Sequence, residues 1–275
     1  MVIGQLKEFF EGVRSGSKKI GSGDKYGSFL CEVEKYCGPL KGKTVLEIGS
    51  DWNGTLLGEL KGNLKVDKAY GINLKSRDSM ISENVYHLKR DAGNTGFDDC
   101  QFDNILSLAT FEHIEDLSSV LCESYRVLKK GGTLFTLFGP IWPSAWGHHL
   151  WVTVDNVTYN YHNTKLPPFC HLISNKDDII SFLEKEYGYP VHHCEVIAEY
   201  ACSSQEQNKL FFEDYERIFA ESEFKVLLLA GHKNIPYSDY PHLDNYTEFL
   251  NLVAARYPHS AGKFGYNAIS VLLCK

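Results

Sequence analysis

Histidine is the side chain of this protein best suited by type to take a proton at neutral pH. Two adjacent pairs, His148-His149 and His192-His193, and a separate His171 lie in the second half of the chain. The first pair ends the aromatic stretch GPIWPSAWGHHLW (139–151), and His171 follows Pro167-Pro168-Phe169-Cys170. A neutral imidazole in such a setting activates a hydroxyl, which is a poor nucleophile on its own. His149 and His171 are the leading candidates for that base, with His148 third. Metal binding is the other chemistry open to paired histidines. In an extended chain, however, neighbouring side chains point to opposite sides, and the pairs lack an i, i+4 partner on a helix. The spacing therefore predicts no metal centre. His113, beside Glu112, reads as a loop-packing residue.

A second constellation lies in Lys43–Gly54, KTVLEIGSDWNG. Val45, Leu46 and Ile48 form a short apolar run of the kind a buried strand has. Gly49 to Gly54 are turn-prone residues with glycine at both borders, and Leu56, Leu57 and Leu60 recur at helical spacing. Strand, glycine turn and helix make a nucleotide-binding unit, whose ligand lies at the strand's carboxyl end. Asp51 stands where a G-x-G-x-x-G fingerprint has its second glycine, so a pyrophosphate would meet a carboxylate. A ligand with a positive charge and an amino group, such as S-adenosylmethionine (SAM), is the better match.

The elements that must position these residues follow in order. Residues 1–24 read as a short helix and a Gly/Ser-rich hinge. Tyr26, Phe29, Leu30, Val33 and Tyr36 then mark one helical face. Further strands are expected at 68–74, 85–88, 102–107 and 133–138. An amphipathic helix over 117–128 begins with Glu115-Asp116 and stops at Gly131. Later come a helix over 176–186 with Ser174-Asn175 as cap, a helix over 211–219, a strand over 224–229, a helix over 246–256 and a last strand over 267–274. Tyr237, Tyr240 and His242 fall in a Pro-containing loop.

Between residues 43 and 138 the ordered segments V-L-E-I-G, R-D-A followed by F-D, F-D-N-I-L-S followed by F-E-H, and R-V-L-K-K-G-G resemble the landmarks of class I SAM-dependent methyltransferases of the type 11-like group. The resemblance implies an α/β, Rossmann-like, seven-stranded mostly parallel sheet with helices on both faces and a lid insertion after strand five. It implies one domain over 1–275, with a helical cap over 1–40 and a substrate lid over 139–210. Glu47, Gly49, Asp51 and Gly54 would surround the methionine end of the cofactor. Asn73 occupies the position of the family's ribose-binding acid, Asp91 would accept from the adenine amine, Ala92 would meet the ring edge, and Leu108 would line the crevice mouth.

The implied reaction is direct displacement, moving a methyl group from SAM to a hydroxyl of a small or sugar-like acceptor. The lid motif is similar to enzymes of bacterial surface-polysaccharide gene clusters. Lipid, quinone or natural-product methylation is the alternative, and a SAM-fold binding protein without transferase activity is another. With 28 basic against 35 acidic residues, a nucleic-acid partner is not expected. The eight cysteines are scattered without a C-x-x-C pair, which predicts neither a zinc knuckle nor a disulfide framework. No apolar leader or spanning segment is evident, so a cytoplasmic protein is expected. Oligomeric state stays open.

Overall fold

Val45, Leu46 and Ile48 are almost sealed from solvent, because the strand they form is covered on both faces. The structure is a computed structural model that describes residues 26–161, 163–164, 166–203, 206–233, 246–260, 264 and 266–275. The expected helix and hinge over 1–24, and Tyr237, Tyr240 and His242, lie outside these residues. In chain order the elements are α1 (Gly27–Cys37), β1 (Thr44–Ile48), α2 (Thr55–Gly62), β2 (Lys68–Ile72), β3 (Ser79–Ser82), β4 (Val85–Leu88), β5 (Phe102–Leu108), α3 (Leu117–Val127) and β6 (Leu128–Phe138). Then follow β7 (Trp151–Val154), β8 (Val157–Asn160), α4 (Cys170–Ile173), α5 (Lys176–Tyr187), α6 (Val191–Ser203), α7 (Phe212–Glu221), β9 (Lys225–Lys233), α8 (Tyr246–Arg256) and β10 (Tyr266–Cys274).

The main sheet has the order β3-β4-β2-β1-β5-β6-β10-β9. Strands β4, β2, β1, β5 and β6 run parallel, with Val45 opposite Ala69 and Leu46 opposite Ile105 across β1. The closing pair β9 and β10 is antiparallel, and β10 lies between β6 and β9. Seven strands were expected and, among the described residues, eight form this sheet. The extra one is β3, an antiparallel edge strand on β4 whose four residues are all exposed. An edge strand with no buried face has no hydrophobic alternation to reveal it.

Alternation along β1 feeds two cores. Val45 joins Phe29, Leu30 and Val33 of α1 and Leu56, Leu57 and Leu60 of α2. Leu46 and Ile48 join Leu117, Val120 and Leu121 of α3 and Phe212, Tyr215 and Phe219 of α7. Each fully buried apolar side chain stabilises by about 1.5–3 kcal/mol. That packing holds α1, whose 11 residues are too few for a helix to persist alone. Residues 150–201 contribute a further cluster built on Leu150, Tyr159, Leu183, Cys194, Ile197 and Ala201. It covers the β7–β8 hairpin and α6, two elements the hydrophobic pattern did not announce. The expected α5 is present, and Asn175 and Asp178 form a reciprocal capping box at its start.

From β1 the chain moves to β2 and β4 on one side, then returns to β5 on the other. The loops after β1 and β5 therefore diverge, which opens the crevice where sheets of this kind take ligands. Among the described residues no helix is long and apolar enough to cross a membrane.

Candidate active site

The loop after β1 is pinned from both sides. The backbone amides of Gly49 and Ser50 both donate to the Ile72 carbonyl, at 2.9 and 3.1 Å, and Ser107 Oγ donates to the Ile48 carbonyl at 3.0 Å. Gly49 has φ +83°, and a Cβ built there would lie 2.0 Å from Thr110 Oγ1. Gly54 has φ +60°, and its Cβ would lie 2.2 Å from Ile81 Cδ1. Both positions need glycine because side chains from β3 and from the loop after β5 fill the space. The sequence reading, in which glycine clears room for a ligand, did not anticipate these partners.

Asp51 works inside the loop. Its Oδ1 accepts from the amides of Asn53 (2.9 Å) and Thr55 (3.0 Å), and its Oδ2 accepts from Tyr26 Oη at 2.7 Å. A carboxylate on the first amide of α2 also suits the helix dipole. Burial opposes the Asp51 charge, but the bonds from Thr55, Tyr26 and Asn53 prevail and hold its carboxyl below the ordinary range. Burial first, and then the bond to Asp51, push the Tyr26 phenol up. The helical spacing of Tyr26 does not announce this bond.

Glu47 differs sharply. It is 5% exposed, its Oε2 has no hydrogen-bond partner, and burial pushes its carboxyl up to about 8. Asn73 is committed, because Nδ2 donates to the Ser50 carbonyl (2.9 Å) and Oδ1 accepts from the Lys75 amide (2.9 Å). Asp91, after β4, is exposed. Its Oδ1 accepts from the Gly93 amide at 2.8 Å, and Oδ2 makes no hydrogen bond among the described residues. Ala92 and Leu108 are half-buried against the two cores.

The loops after β5 and β6 are tied together. Glu112, 1% exposed, accepts the Gly139 amide at Oε1 (3.0 Å) and leaves Oε2 unpartnered; burial raises its carboxyl. His113 bonds the Glu206 carbonyl through Nδ1, at 2.5 Å, and its ring lies 5.1 Å from that of His149. The expected loop-packing character of Glu112 and His113 agrees with these contacts.

His148 and His149 have different partners, although the chain here is a turn and not extended. His149 has φ +47° and donates from Nε2 to the Pro140 carbonyl at 2.7 Å, so its lone pair is on Nδ1. Burial, then the neighbouring His113, lower it to about 3. His148 accepts the Leu150 amide at Nδ1 (3.0 Å) and faces His171, whose ring centroid is 5.3 Å away. His171 is 1% exposed and donates from Nε2 to the Trp142 carbonyl (2.8 Å), and burial lowers it to about 4. His148 is lowered well below the ordinary range by burial and by the two other histidines. His192 and His193 do not behave as read from sequence. They lie on a helix, α6, and both reach one carboxylate, that of Asp155. An open groove of about 540 Å³ along α6 is lined by Val152, Glu195, Val196 and Tyr200, with no residue of the glycine loop.

Residues 46–136, from β1 to β6, match the family described as Methyltransferase domain. No curated protein matches the chain in sequence. In fold it is similar to the methyltransferase bound to the Trm112 activator of Haloferax volcanii, with 16% identity, 96% of each chain covered and a TM-score of 0.50. It is also similar to a Listeria monocytogenes protein described as an S-adenosylmethionine dependent methyltransferase (14% identity, 90% and 96% covered, TM-score 0.50). A third likeness is to phosphoethanolamine N-methyltransferase 2 of Haemonchus contortus, bound to phosphomonomethylethanolamine and S-adenosylhomocysteine. There the identity is 16%, 91% of this chain and 53% of that one are covered, and the TM-score is 0.50. At these identities the structural likeness is one of fold, the mostly parallel Rossmann-like sheet of class I methyltransferases. The match takes in β1 to β6 and marks that part of the chain as a methyltransferase domain.

Proposed function

We propose that this chain is an enzyme that transfers a methyl group from SAM to a hydroxyl of a small or sugar-like acceptor, with His149 as the general base and residues 139–210 as the lid over the acceptor. The observation that carries this reading is the state of His149. Its Nε2–H is fixed on the Pro140 carbonyl, so the neutral ring offers Nδ1 as the proton acceptor, on the loop that follows β6. His171 also has an unpartnered Nδ1, but its ring is packed against those of Trp142 and His148.

SAM supplies an activated methyl group, so the protein's task is mainly to align donor and acceptor. The free acceptors at the strand ends fit such a donor. Glu47 Oε2, buried and unpartnered, would take the ammonium group, and Asp91 Oδ2 would take an N–H or O–H of the adenosine. Asp51 and Asn73 hold the loop in shape and contribute through their remaining acceptor capacity. Gly49, Gly54, Ala92 and Leu108 would line the pocket. The aromatic residues of the lid segment suit a polar ring, which supports a sugar-like acceptor and a role in polysaccharide biosynthesis. All eight cysteines are free thiols, which supports a reducing, cytoplasmic setting.

The test is formation of S-adenosylhomocysteine over a panel of monosaccharides, nucleotide sugars and primary amines, with wild type and His149→Ala. A base contributes about 10²–10⁴-fold, so His149→Ala should lose that much in kcat on a hydroxyl acceptor while SAM affinity holds. Turnover confined to amines, or full turnover by His149→Ala, would overturn the reading.

A further inference from the structure

We propose that Asp155, His192 and His193 form a binding site for one divalent ion of the zinc class, which ties the β7–β8 hairpin to the first turn of α6. Asp155 lies at the hairpin's tip, between Val154 and Val157, which pair across it. His192 Nε2 and His193 Nε2 approach the same oxygen, Asp155 Oδ2, at 2.7 and 3.2 Å. The three donor atoms all lie within 4.8 Å of one another. Zinc binds imidazole nitrogen and carboxylate oxygen at about 2.0–2.2 Å, so tetrahedral neighbours stand roughly 3.3–3.6 Å apart. The atoms already stand near that spacing. Seating an ion requires small side-chain shifts and no movement of the main chain.

The neighbouring phenol fits the ion as well. His193 Nδ1 lies 2.6 Å from Tyr159 Oη, and Tyr159 is only 8% exposed. A hydroxyl works in both directions. Without an ion it donates to Nδ1, and Nε2–H faces the carboxylate. With an ion it accepts Nδ1–H, and Nε2 turns its lone pair to the metal. Metal-bound histidines commonly have such a partner on the second nitrogen, and it fixes their tautomer. Two imidazoles and one carboxylate favour Zn²⁺, Co²⁺ or Ni²⁺ over Mg²⁺ or Ca²⁺. His192 and Asp155 are 58% and 69% exposed, so a fourth position faces water.

The other cluster of donors, His148, Cys170 and His171, fails the same test. The Leu150 amide donates to His148 Nδ1, which leaves the proton on Nε2 and no lone pair there for an ion. The proposed site is independent of the reaction assigned above.

The experiment uses the ion-free full chain. ZnCl₂ and CoCl₂ are titrated by calorimetry into wild type, Asp155→Ala, His192→Ala and Tyr159→Phe, and the 1:1 complexes are examined by X-ray absorption. Asp155 and His192 are exposed, so truncating either leaves the core intact. One ion per chain in a shell of nitrogen and oxygen is expected. Either truncation should weaken binding by at least about 100-fold, and Tyr159→Phe by about 10-fold. Equal uptake by wild type and both truncations, or sulfur in the shell, would place the ion elsewhere and overturn the proposal. No uptake at millimolar ion would reduce the cluster to a hydrogen-bonded latch and overturn it equally.

Discussion

Replacing Glu47 by Gln should reverse the alkaline loss of stability of this protein. The carboxyl is buried, with Oε2 unpartnered, and its folded value of about 8 compares with 4.5 for the free side chain. Between those two values the folded state holds a proton that the unfolded chain has released. The unfolded state thus binds fewer protons, and stability falls as pH rises through this window. Each unit is about 1.36 kcal/mol, so the shift corresponds to a ceiling of about 5 kcal/mol, lost between pH 4.5 and 8. Gln has the same shape and no charge at any pH. At pH 5 the two proteins should match within about 1 kcal/mol, since both are neutral at this position. At pH 9 the variant should be more stable by about 3–5 kcal/mol.

Chemical unfolding followed by circular dichroism at pH 5, 7 and 9 measures both curves. Parallel curves would refute the reasoning, because they would mean Glu47 titrates alike in the folded and unfolded chain. On the cofactor role proposed for Glu47, the ammonium of SAM draws the carboxyl back to its ionised form. Calorimetry at pH 7 in two buffers of different ionisation heat should then detect about one proton released per SAM bound by wild type, and none by the variant.

The remaining predictions test the same loops. If His149 is the base, kcat/KM should not fall between pH 8 and 5.5 on its account, because its ring is neutral down to about 3. An ordinary histidine at 6.5 would cost about tenfold at pH 5.5, and an inflection there would contradict the assignment. Gly49→Ala places a methyl 2.0 Å from Thr110 Oγ1 at φ +83° and should destabilise by about 2–4 kcal/mol. Denaturation of the pair Gly49→Ala and Thr110→Gly should show favourable coupling of at least about 1 kcal/mol, and simple additivity would discount the contact. Asp51→Ala removes the bonds to Asn53, Thr55 and Tyr26 and should cost about 1–3 kcal/mol, while Tyr26→Phe should cost about 1. Asp91→Asn should leave the melting temperature within about 1 °C but weaken SAM binding, read by calorimetry. A melting temperature that drops with affinity would make Asp91 a loop brace.

The strands legible in the sequence are those buried on both faces. Val45, Leu46 and Ile48 read as a strand without alternation because α1 and α2 cover one face and α3 and α7 the other. Strand β3 and the β7–β8 hairpin lack that burial, and Met80, Ile81, Trp151 and Val157 are all substantially exposed. Their pairing is set by neighbours along the main chain, which composition does not encode. His192-His193 was misjudged for a related reason. An extended chain would part the two rings, but Val191–Ser203 is a helix whose buried face includes His193, Cys194, Ile197 and Ala201. Adjacent helical residues are about 100° apart, close enough for both rings to reach one carboxylate.

Within the glycine loop the sequence located the residues but not the direction of their contacts. Gly49 and Gly54 are required by Thr110 and Ile81, which are 61 and 27 positions further along the chain, so no local pattern reveals them. Asp51 gave a local sign that was available. A carboxylate four residues before the start of a leucine-spaced helix is placed to take an orphan amide. The free acceptors follow from the same geometry. Asp51 and Asn73 spend their bonds inside the loop, which leaves neither side chain to pair with Glu47 Oε2. A flexible loop would admit water to Glu47 and return its carboxyl toward 4.5. The internal bonds of Asp51 and Asn73 thus shape the loop around the unpaired Oε2, the acceptor proposed above for a cationic donor.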